Sequence, residues 1–424
     1  MRYDAVLFDF DGTIADTERG ISAALRTACE QLGMEPIPPQ QIPLFIGPPV
    51  LDAAQRYLGM DAQQAAVFHT HFRAAYRAYS LYEATVYPGI PLLLRQLRAQ
   101  GVYVAVASAK PVDMVQSLLN HFGLARLFDR VVGKTTSDAD THKETLLRQA
   151  LPARYGRAAM VGDRLYDMEA AKAVGLDAIG AAWGFGSAQE LLASGADALA
   201  ATPQEAASIL CGESAPIPRG FFISIEGLDG CGKSTQISAL ARHLRARGYD
   251  VLCTREPGGT PISEDIRALI LDPEKSMCNE TEALLYAASR CEHVRRVIRP
   301  ALEKGQVVLC DRYVDSSLVY QGAGRELGMD KVAQINAPAV DGTMPDLTLL
   351  FVVDPQAAFL RRSSATKLDR LERAGEAFFL RVRDAYDLLA DTEPQRIRRI
   401  DASRDIAEVT AEACGYLDKL LGGR

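Results

Sequence analysis

Eight residues, Gly227-Leu228-Asp229-Gly230-Cys231-Gly232-Lys233-Ser234, make a G-x-x-x-x-G-K-S loop, whose chemistry is phosphate binding. Its glycines let backbone N–H groups turn toward a polyphosphate, Lys233 adds a cation, and the Ser234 hydroxyl suits Mg²⁺. A second set of reactive residues lies near the start of the chain. Asp9 and Asp11 stand at i and i+2 in Asp9-Phe10-Asp11-Gly12-Thr13. Just past a strand end, two such carboxylates can converge on one centre, one attacking phosphorus and the other protonating the leaving oxygen. A D-x-D pattern alone is weak, and its company strengthens it. Ser108, in Val104-Ala-Val-Ala-Ser108-Ala-Lys110-Pro111, offers a hydroxyl to a phosphoryl oxygen. Lys143 can neutralise an attacking carboxylate and the phosphate together. Asp163 and Asp167, in Gly162-Asp163-Arg164-Leu165-Tyr166-Asp167, are hard oxygen ligands of the kind Mg²⁺ prefers.

These groups need elements to aim them, and the sequence supplies two series of strands and helices. Apolar runs at Ala5–Phe8, Val102–Ala107, Arg130–Gly133, Ala158–Val161 and Ala178–Gly180 read as buried parallel strands. Asp9, Ser108 and Asp163 each follow one of them. From about Thr17 to Thr85 the spacing is helical, with Ile21, Ala24, Leu25 and Cys29, then Phe68, Phe72, Tyr76 and Tyr79. This segment reads as a helical insertion over the strand ends. Later, Phe221–Ile225, Val251–Thr254, Val307–Cys310 and Thr348–Val352 are the candidate strands. The phosphate loop stands between the first of these and a helix beginning near Thr235, the context the motif requires. Residues 211–219, with two prolines and little apolar periodicity, have a linker composition. The expected domains are therefore 1–210, with the insertion at about 17–85, and 220–424.

At 424 residues the chain is long for one compact domain. Apolar residues make up 48% and charged residues 24%, as in soluble globular proteins. A net charge of −7 argues against a general nucleic-acid binder. The sequence contains neither a signal-peptide pattern nor 18 consecutive apolar residues, so a cytoplasmic protein without membrane spans is expected. Eight scattered cysteines without C-x-x-C spacing read as reduced thiols, and Cys231 reads as a small filler of the loop.

The elements Asp9–Thr13, Ser108, Lys143 and Asp163–Asp167, in this order, resemble the haloacid dehalogenase superfamily of phosphatases across the whole first segment. The resemblance implies Asp9 as the nucleophile that becomes an aspartyl-phosphate and Asp11 as general acid/base. Ser108 and Lys143 would hold the phosphoryl group. Asp163, Asp9 and the Asp11 carbonyl would bind Mg²⁺, supported by Asp167. The Asp-Gly-Thr form of the first motif favours phosphatase over dehalogenase chemistry. The helical insertion looks like the cap of the phosphoglycolate phosphatase-like branch, which includes nucleotidases. Ala181-Ala182-Trp183-Gly184-Phe185-Gly186-Ser187 and Gly195-Ala196-Asp197 look like that branch too.

Around the phosphate loop stand Thr254-Arg255-Glu256-Pro257-Gly258-Gly259-Thr260, Tyr286 and Arg290 one helical turn apart, Asp311-Arg312-Tyr313, and Ser316-Ser317-Leu318-Val319-Tyr320-Gln321-Gly322. Arg361, Arg362, Lys367 and Arg370 crowd a short stretch. This set resembles the thymidylate kinase family from Gly220 to the C-terminus. The resemblance implies that residues 227–235, Thr235 included, hold ATP, and that Ser234 and Asp311 serve Mg²⁺, Asp311 alternatively the acceptor. Asp229 would meet the deoxyribose 3′-hydroxyl and Tyr286 would stack on thymine. Arg290 and Arg312 would hold the base or the acceptor phosphate. Tyr320, with Ser317 and Gln321 nearby, would sit against the sugar. The phosphate loop carries no arginine, so Arg361, Arg362 or Arg370 would supply the catalytic cation, as in the bacterial type. One well-placed arginine is worth ~10³-fold or more in phosphoryl transfer. Ser289 stands where an acidic or amide residue often precedes the arginine, an exchange expected to weaken the orientation of Arg290. The family also implies a homodimer through this domain.

The expected architecture is α/β in two domains: a Rossmann-like haloacid dehalogenase domain with a helical cap, then a P-loop NTPase fold with a parallel sheet. The expected reactions are ATP-dependent phosphorylation of dTMP and Mg²⁺-dependent phosphomonoester hydrolysis, on a nucleoside monophosphate or a phosphoglycolate-like substrate. Three alternatives stay open: a first domain that only regulates or dimerises, a kinase for another monophosphate, and an ATP-binding module without transfer.

Overall fold

A computed structural model of the chain describes residues 3–135, 142–212, 215–354 and 375–422. The chain divides into two compact units that part between Pro218 and Arg219, with the turn Ala246–Tyr249 grouped with the first. Helix Pro203–Cys211, capped by the Thr202 hydroxyl, runs one residue into the segment read as a linker and stops at Gly212. Among the described residues no helix is long and apolar enough to cross a membrane.

The first unit is built on six parallel strands: β1 (Ala5–Phe8), β4 (Tyr103–Pro111), β5 (Arg130–Lys134), β6 (Ala158–Gly162), β7 (Asp177–Ala181) and β8 (Ala198–Ala200), in the order β5-β4-β1-β6-β7-β8. β1 is central, with Phe8 beside Val106 on one flank and Val161 on the other. All four of its residues are buried, which is why it reads as an unbroken apolar run. Two elements escape the apolar-run criterion. β8 is only Ala-Leu-Ala, and the antiparallel ribbon of β2 (Ala15–Asp16) and β3 (Thr85–Val86) has two residues a side. That ribbon closes the base of the insertion. Within it, helices Glu18–Gln31 and Ala62–Ala75 turn Ile21, Leu25, Phe68 and Phe72 into one buried cluster. Asp61 starts the second helix through a capping box with Gln64. A π-helical turn, Tyr76–Ser80, ends it.

The second unit has five parallel strands: β9 (Phe221–Gly227), β10 (Val251–Arg255), β11 (Val307–Asp311), β12 (Leu347–Val352) and β13 (Ile397–Asp401), ordered β10-β11-β9-β12-β13. β9 is buried throughout, including the polar Ser224 and Glu226. β13 is an edge strand, Ile-Arg-Arg-Ile-Asp, with its two isoleucines inside and its charges outside, and no apolar run announces it. In both sheets the strand order switches from one side of the central strand to the other. Ligands of such sheets bind beyond the strand C-termini at that point, where β1 delivers Asp9 in one sheet and β9 delivers the phosphate loop in the other.

Candidate active sites

In the first unit Asp9, Asp163 and Asp167 each offer an oxygen, all within 4.8 Å of one another, and all three side chains are buried. Asp9 follows β1, Asp163 follows β6, and Asp167 lies in the first turn of helix Leu165–Val174. Lys143, first residue of helix Lys143–Ala150, places Nζ 2.8 Å from Asp9 Oδ1 and 2.7 Å from Asp167 Oδ1. Burial pulls this ammonium down, yet Asp167 and Asp9 outweigh it and hold it above its ordinary value. Burial, with Asp167 and Asp9 adding to it, pushes Asp163 well above the usual carboxylate range. Asp167 is pushed up to about 6, chiefly by burial, against the pull of Lys143. Three carboxylates facing one ammonium leave negative charge that a divalent cation balances, and an all-oxygen donor set suits Mg²⁺.

Asp163 accepts from Thr13 Oγ1 at 3.1 Å and from the Phe185 amide at 2.9 Å. The Trp183–Gly186 loop approaches it so closely that a Cβ on Gly184 would lie 2.4 Å from Asp163 Cβ. Ser108 is buried on β4, two residues beyond the partner of Phe8, and so flanks the Asp9–Asp11 turn. The Asp11 carboxylate lies outside the three-aspartate cluster. It accepts from Thr17 Oγ1 at 2.8 Å and from Lys110 Nζ at 3.0 and 3.3 Å, and Lys110 also donates to the Tyr76 hydroxyl at 2.9 Å. Thus the residue at the end of the cap helix and the residue read as acid/base share one buried lysine.

In the second unit, seven residues singled out from the sequence line one cleft of about 550 Å³ including its open mouth: Asp229, Tyr286, Arg290, Arg312, Ser317, Tyr320 and Gln321. Tyr286 and Arg290 reach it from one face of helix Asn279–His293. The phosphate loop borders the cleft. Gly227 turns with φ +134°, and a Cβ there would lie 2.4 Å from the Phe351 carbonyl oxygen. Lys233 Nζ donates to the Gly227 and Leu228 carbonyls at 3.1 and 3.0 Å and lies 3.7 Å from Asp229. Gly230 and Gly232 also have positive φ, and Ser234 and Thr235 are exposed at the start of helix Lys233–Ala246. Cys231 is buried, and burial pushes its thiol up, as befits a filler. Asp311 Oδ1, at the end of β11, is buried and has no hydrogen-bond partner among the described residues, an orphaned hard donor that fits a Mg²⁺ role. Arg361, Arg362, Lys367 and Arg370 lie outside the described residues.

The haloacid dehalogenase-like hydrolase family model matches residues 6–181, and the thymidylate kinase family model matches residues 225–413. The thymidylate kinase of an Exiguobacterium strain is 44% identical over 206 residues, 48% of this chain and 97% of that protein. That of Geobacillus thermodenitrificans is 48% identical over 209 residues, 48% of this chain and 93% of its own length. Over its second half the chain belongs to the thymidylate kinase family. Its first half is a haloacid dehalogenase-like hydrolase domain, so the chain fuses a kinase to a hydrolase. Among solved structures, a predicted phosphatase from Clostridium acetobutylicum is 30% identical with a TM-score of 0.47, covering 50% of this chain and 99% of its own. The cofactors of the fusion are ATP and Mg²⁺ for the kinase and Mg²⁺ for the hydrolase.

The kinase half corrects one expectation. Ser289 does not leave Arg290 loosely oriented. Arg290 is fully buried, its Nε donates to Glu256 Oε2 at 2.7 Å, and one terminal nitrogen donates to Ser317 Oγ at 3.1 Å and to Asn336 Oδ1. Glu256 in turn meets His293 Nδ1 at 3.0 Å. The clamp comes from residues 27 to 46 positions away rather than from the preceding one, and Ser289 Oγ is itself buried without a partner among the described residues. Glu256 lies inside the quoted Thr254–Thr260 run, but nothing in the sequence assigned it to Arg290. Arg312 donates to Asp229 Oδ1 at 2.7 Å, to the Tyr320 hydroxyl at 3.2 Å and to Ser316 Oγ at 3.0 Å.

Proposed function

We propose that the second half transfers the γ-phosphoryl group of ATP to dTMP, giving ADP and dTDP. The observation that carries this reading is the single cleft beside the phosphate loop in which Tyr286, the clamped Arg290, Arg312 and Tyr320 converge with Asp229. Arg290 is locked on one edge by Glu256, Ser317 and Asn336, so its free edge can present fixed donors to a base carbonyl. Tyr286 offers a ring face for a pyrimidine, and Asp229, two residues before the loop cysteine, offers an acceptor to a 3′-hydroxyl. An oxygen of the acceptor phosphate attacks the γ-phosphorus and the bond to the ADP oxygen breaks. Loop amides and Lys233 hold the triphosphate in line for this transfer, Arg312 holds the acceptor, and Arg361, Arg362 or Arg370 supplies the transition-state cation. Mg²⁺, with Ser234 and Asp311 as its holders, supplies charge neutralisation of the phosphates.

For the first half, the reading is phosphomonoester hydrolysis. Asp9 attacks phosphorus, the leaving alkoxide takes a proton from Asp11, and water then cleaves the aspartyl-phosphate as Asp11 takes the proton back. Lys143 and Ser108 orient the phosphoryl oxygens, and Asp9, Asp163, Asp167 and the Asp11 carbonyl are the holders of Mg²⁺, which screens the charge between the two anions. A nucleoside monophosphate is the proposed substrate class, with a phosphoglycolate-like compound second. The complete set of buried Asp9, Asp11, Asp163 and Asp167 with Lys143 paired to Asp9 and Asp167 favours turnover over a regulatory domain. We also place the protein in the cytoplasm as a homodimer through the kinase half, where Ile262, Leu269 and Leu284 are exposed apolar side chains.

The deciding experiment is one substrate panel. ADP release is followed over all nucleoside monophosphates, and phosphate release over the same panel plus phosphoglycolate. A preference for dTMP in the first assay and Asp9-dependent phosphate release in the second are expected. A purine preference, or transfer to no acceptor, would sink the kinase reading.

A further inference from the structure

Glu226 is the last residue before the phosphate loop begins and has no part in the reading above. It is completely buried, and its carboxylate collects four donors. Oε1 accepts from Ser224 Oγ at 3.0 Å and from the Tyr313 amide at 2.7 Å. Oε2 accepts from Ser316 Oγ at 2.6 Å and from the Tyr386 hydroxyl at 2.8 Å. A buried carboxylate needs such partners, but their placement goes beyond that need.

Two of the four bracket Arg312. Tyr313 is its chain neighbour, and Ser316 Oγ, having donated its only proton to Glu226, has lone pairs left to accept from the Arg312 guanidinium at 3.0 Å. Arg312 also has φ +69°, a backbone conformation that residues with a side chain adopt only where the surroundings enforce it. Its amide donates to the Ile225 carbonyl at 2.9 Å while the next amide is taken by Glu226, so the strained turn is fixed from the end of β9. On the far edge, the other terminal nitrogen of the guanidinium is held by Asp229 and Tyr320. The fourth donor, Tyr386, lies in helix Glu376–Thr392. It is also 3.0 Å from Ser316 Oγ.

We infer that Glu226 is a positioning residue for the phosphate acceptor: through Tyr313 N and Ser316 it sets the direction of Arg312, and through Tyr386 it ties helix Glu376–Thr392 to the same point. This rests on the proposed role of the cleft as the monophosphate site, with Arg312 facing a dianionic phosphate. A guanidinium aimed by hydrogen bonds on both edges loses less freedom on meeting a phosphate than an untethered one. The effect is therefore expected on acceptor affinity and not on ATP.

The test uses the full chain, with ATP and, as acceptor, whichever nucleoside monophosphate the wild type uses best. Ser316→Ala and Tyr386→Phe each remove one hydroxyl with little change in volume, and Glu226→Gln keeps the shape. Losing a hydrogen bond to a charged group predicts a rise of about 10-fold in acceptor KM for Ser316→Ala. Glu226→Gln should rise at least as much and Tyr386→Phe less, while the KM for ATP stays within about 2-fold. Ser316→Thr, which keeps the hydroxyl, should restore most of the affinity. Equal rises in both KM values, or an acceptor KM within about 2-fold of wild type for Ser316→Ala and Glu226→Gln, would overturn the inference. A best acceptor other than dTMP defeats the dTMP reading while leaving this comparison intact. A wild type that accepts no monophosphate defeats both.

Discussion

The two sites occupy the same place in their sheets and carry opposite charge. In the hydrolase half the central strand β1 ends in Asp9, and three buried carboxylates face one lysine. In the kinase half the central strand β9 ends in a loop of backbone amides and Lys233, with Arg290 and Arg312 in the adjoining cleft. On the proposed mechanisms each serves a phosphate, and the difference lies in who brings the nucleophile. A hydrolase that attacks with its own carboxylate must concentrate negative charge where a negative substrate arrives, and a cation must offset it. A kinase whose substrate is itself the nucleophile needs only to cradle anions, and fixed amides and guanidinium groups suffice. The switch point of a parallel sheet accommodates either solution, because what it offers is convergent strand ends rather than a particular chemistry.

The sharpest way to break this comparison is to disable one half at a time. Asp9→Asn should lower phosphate release by at least about 10³-fold. ADP release with dTMP should stay within about 2-fold of wild type, because Asp9 belongs to the first unit alone. Lys233→Ala should do the reverse, with a comparable loss in transfer. If either substitution silences both assays, the halves do not act as independent sites.

Next in size is the clamp on Arg290. Glu256→Ala leaves a fully buried guanidinium without its carboxylate and frees His293 on the same side. Breaking a buried pair in this way costs about 3–5 kcal/mol. The variant should therefore melt well below wild type and lose preference among pyrimidine monophosphates, measured by denaturant titration and by the ADP-release panel. Unchanged stability would mean that Asn336 and Ser317 alone carry the arginine.

A third test separates the sites by their charge. Asp163 and Asp167 are raised in the folded protein, chiefly by burial, so the folded, metal-free site binds protons more tightly than the unfolded chain. The stability they contribute is present below the ordinary carboxylate range. It is lost as pH rises, through about 6 for Asp167, and Asp163 adds a loss in the same direction. After chelation, the transition of the hydrolase half should fall by several degrees between about pH 5 and about pH 8. Added Mg²⁺ should raise it more at the higher pH, where the carboxylates are free to bind. A Mg²⁺ shift of equal size at both pH values would detach the aspartate cluster from the metal.

What the sequence revealed, and what it hid, follows the same division between local and distant. Central strands such as Ala5–Phe8 and Phe221–Gly227 are legible because burial on both faces leaves an apolar run. The edge strand Ile397–Asp401 alternates with arginines, and Ala198–Ala200 is too short and too rich in alanine to register. Motif residues were legible because their chemistry is written in spacing of a few residues. The groups that hold them were not. Lys110 meets Asp11 across 99 positions, Glu226 meets Tyr386 across 160, and Asn336 meets Arg290 across 46. Such pairs are made by sheet order and helix packing, and no local pattern encodes them.

Ser289 gives the smallest predicted effect and the most direct check on that last point. Read locally, its hydroxyl stands in for a group that would orient Arg290, and removing it should matter. In the structure Ser289 Oγ is buried without a hydrogen-bond partner among the described residues, and the Ser289 backbone carbonyl accepts from Ser263 Oγ at 2.9 Å. The side chain thus contributes nothing to Arg290 and carries the cost of an unsatisfied buried hydroxyl, about 1–3 kcal/mol where no water reaches it. Ser289→Ala should leave the KM for dTMP within about 2-fold and should hold stability constant or raise it by up to about 1 kcal/mol. A KM rise beyond about 10-fold would mean that Arg290 is oriented by its neighbour in sequence after all, and that the distant clamp of Glu256, Ser317 and Asn336 is structural support and not the source of base recognition.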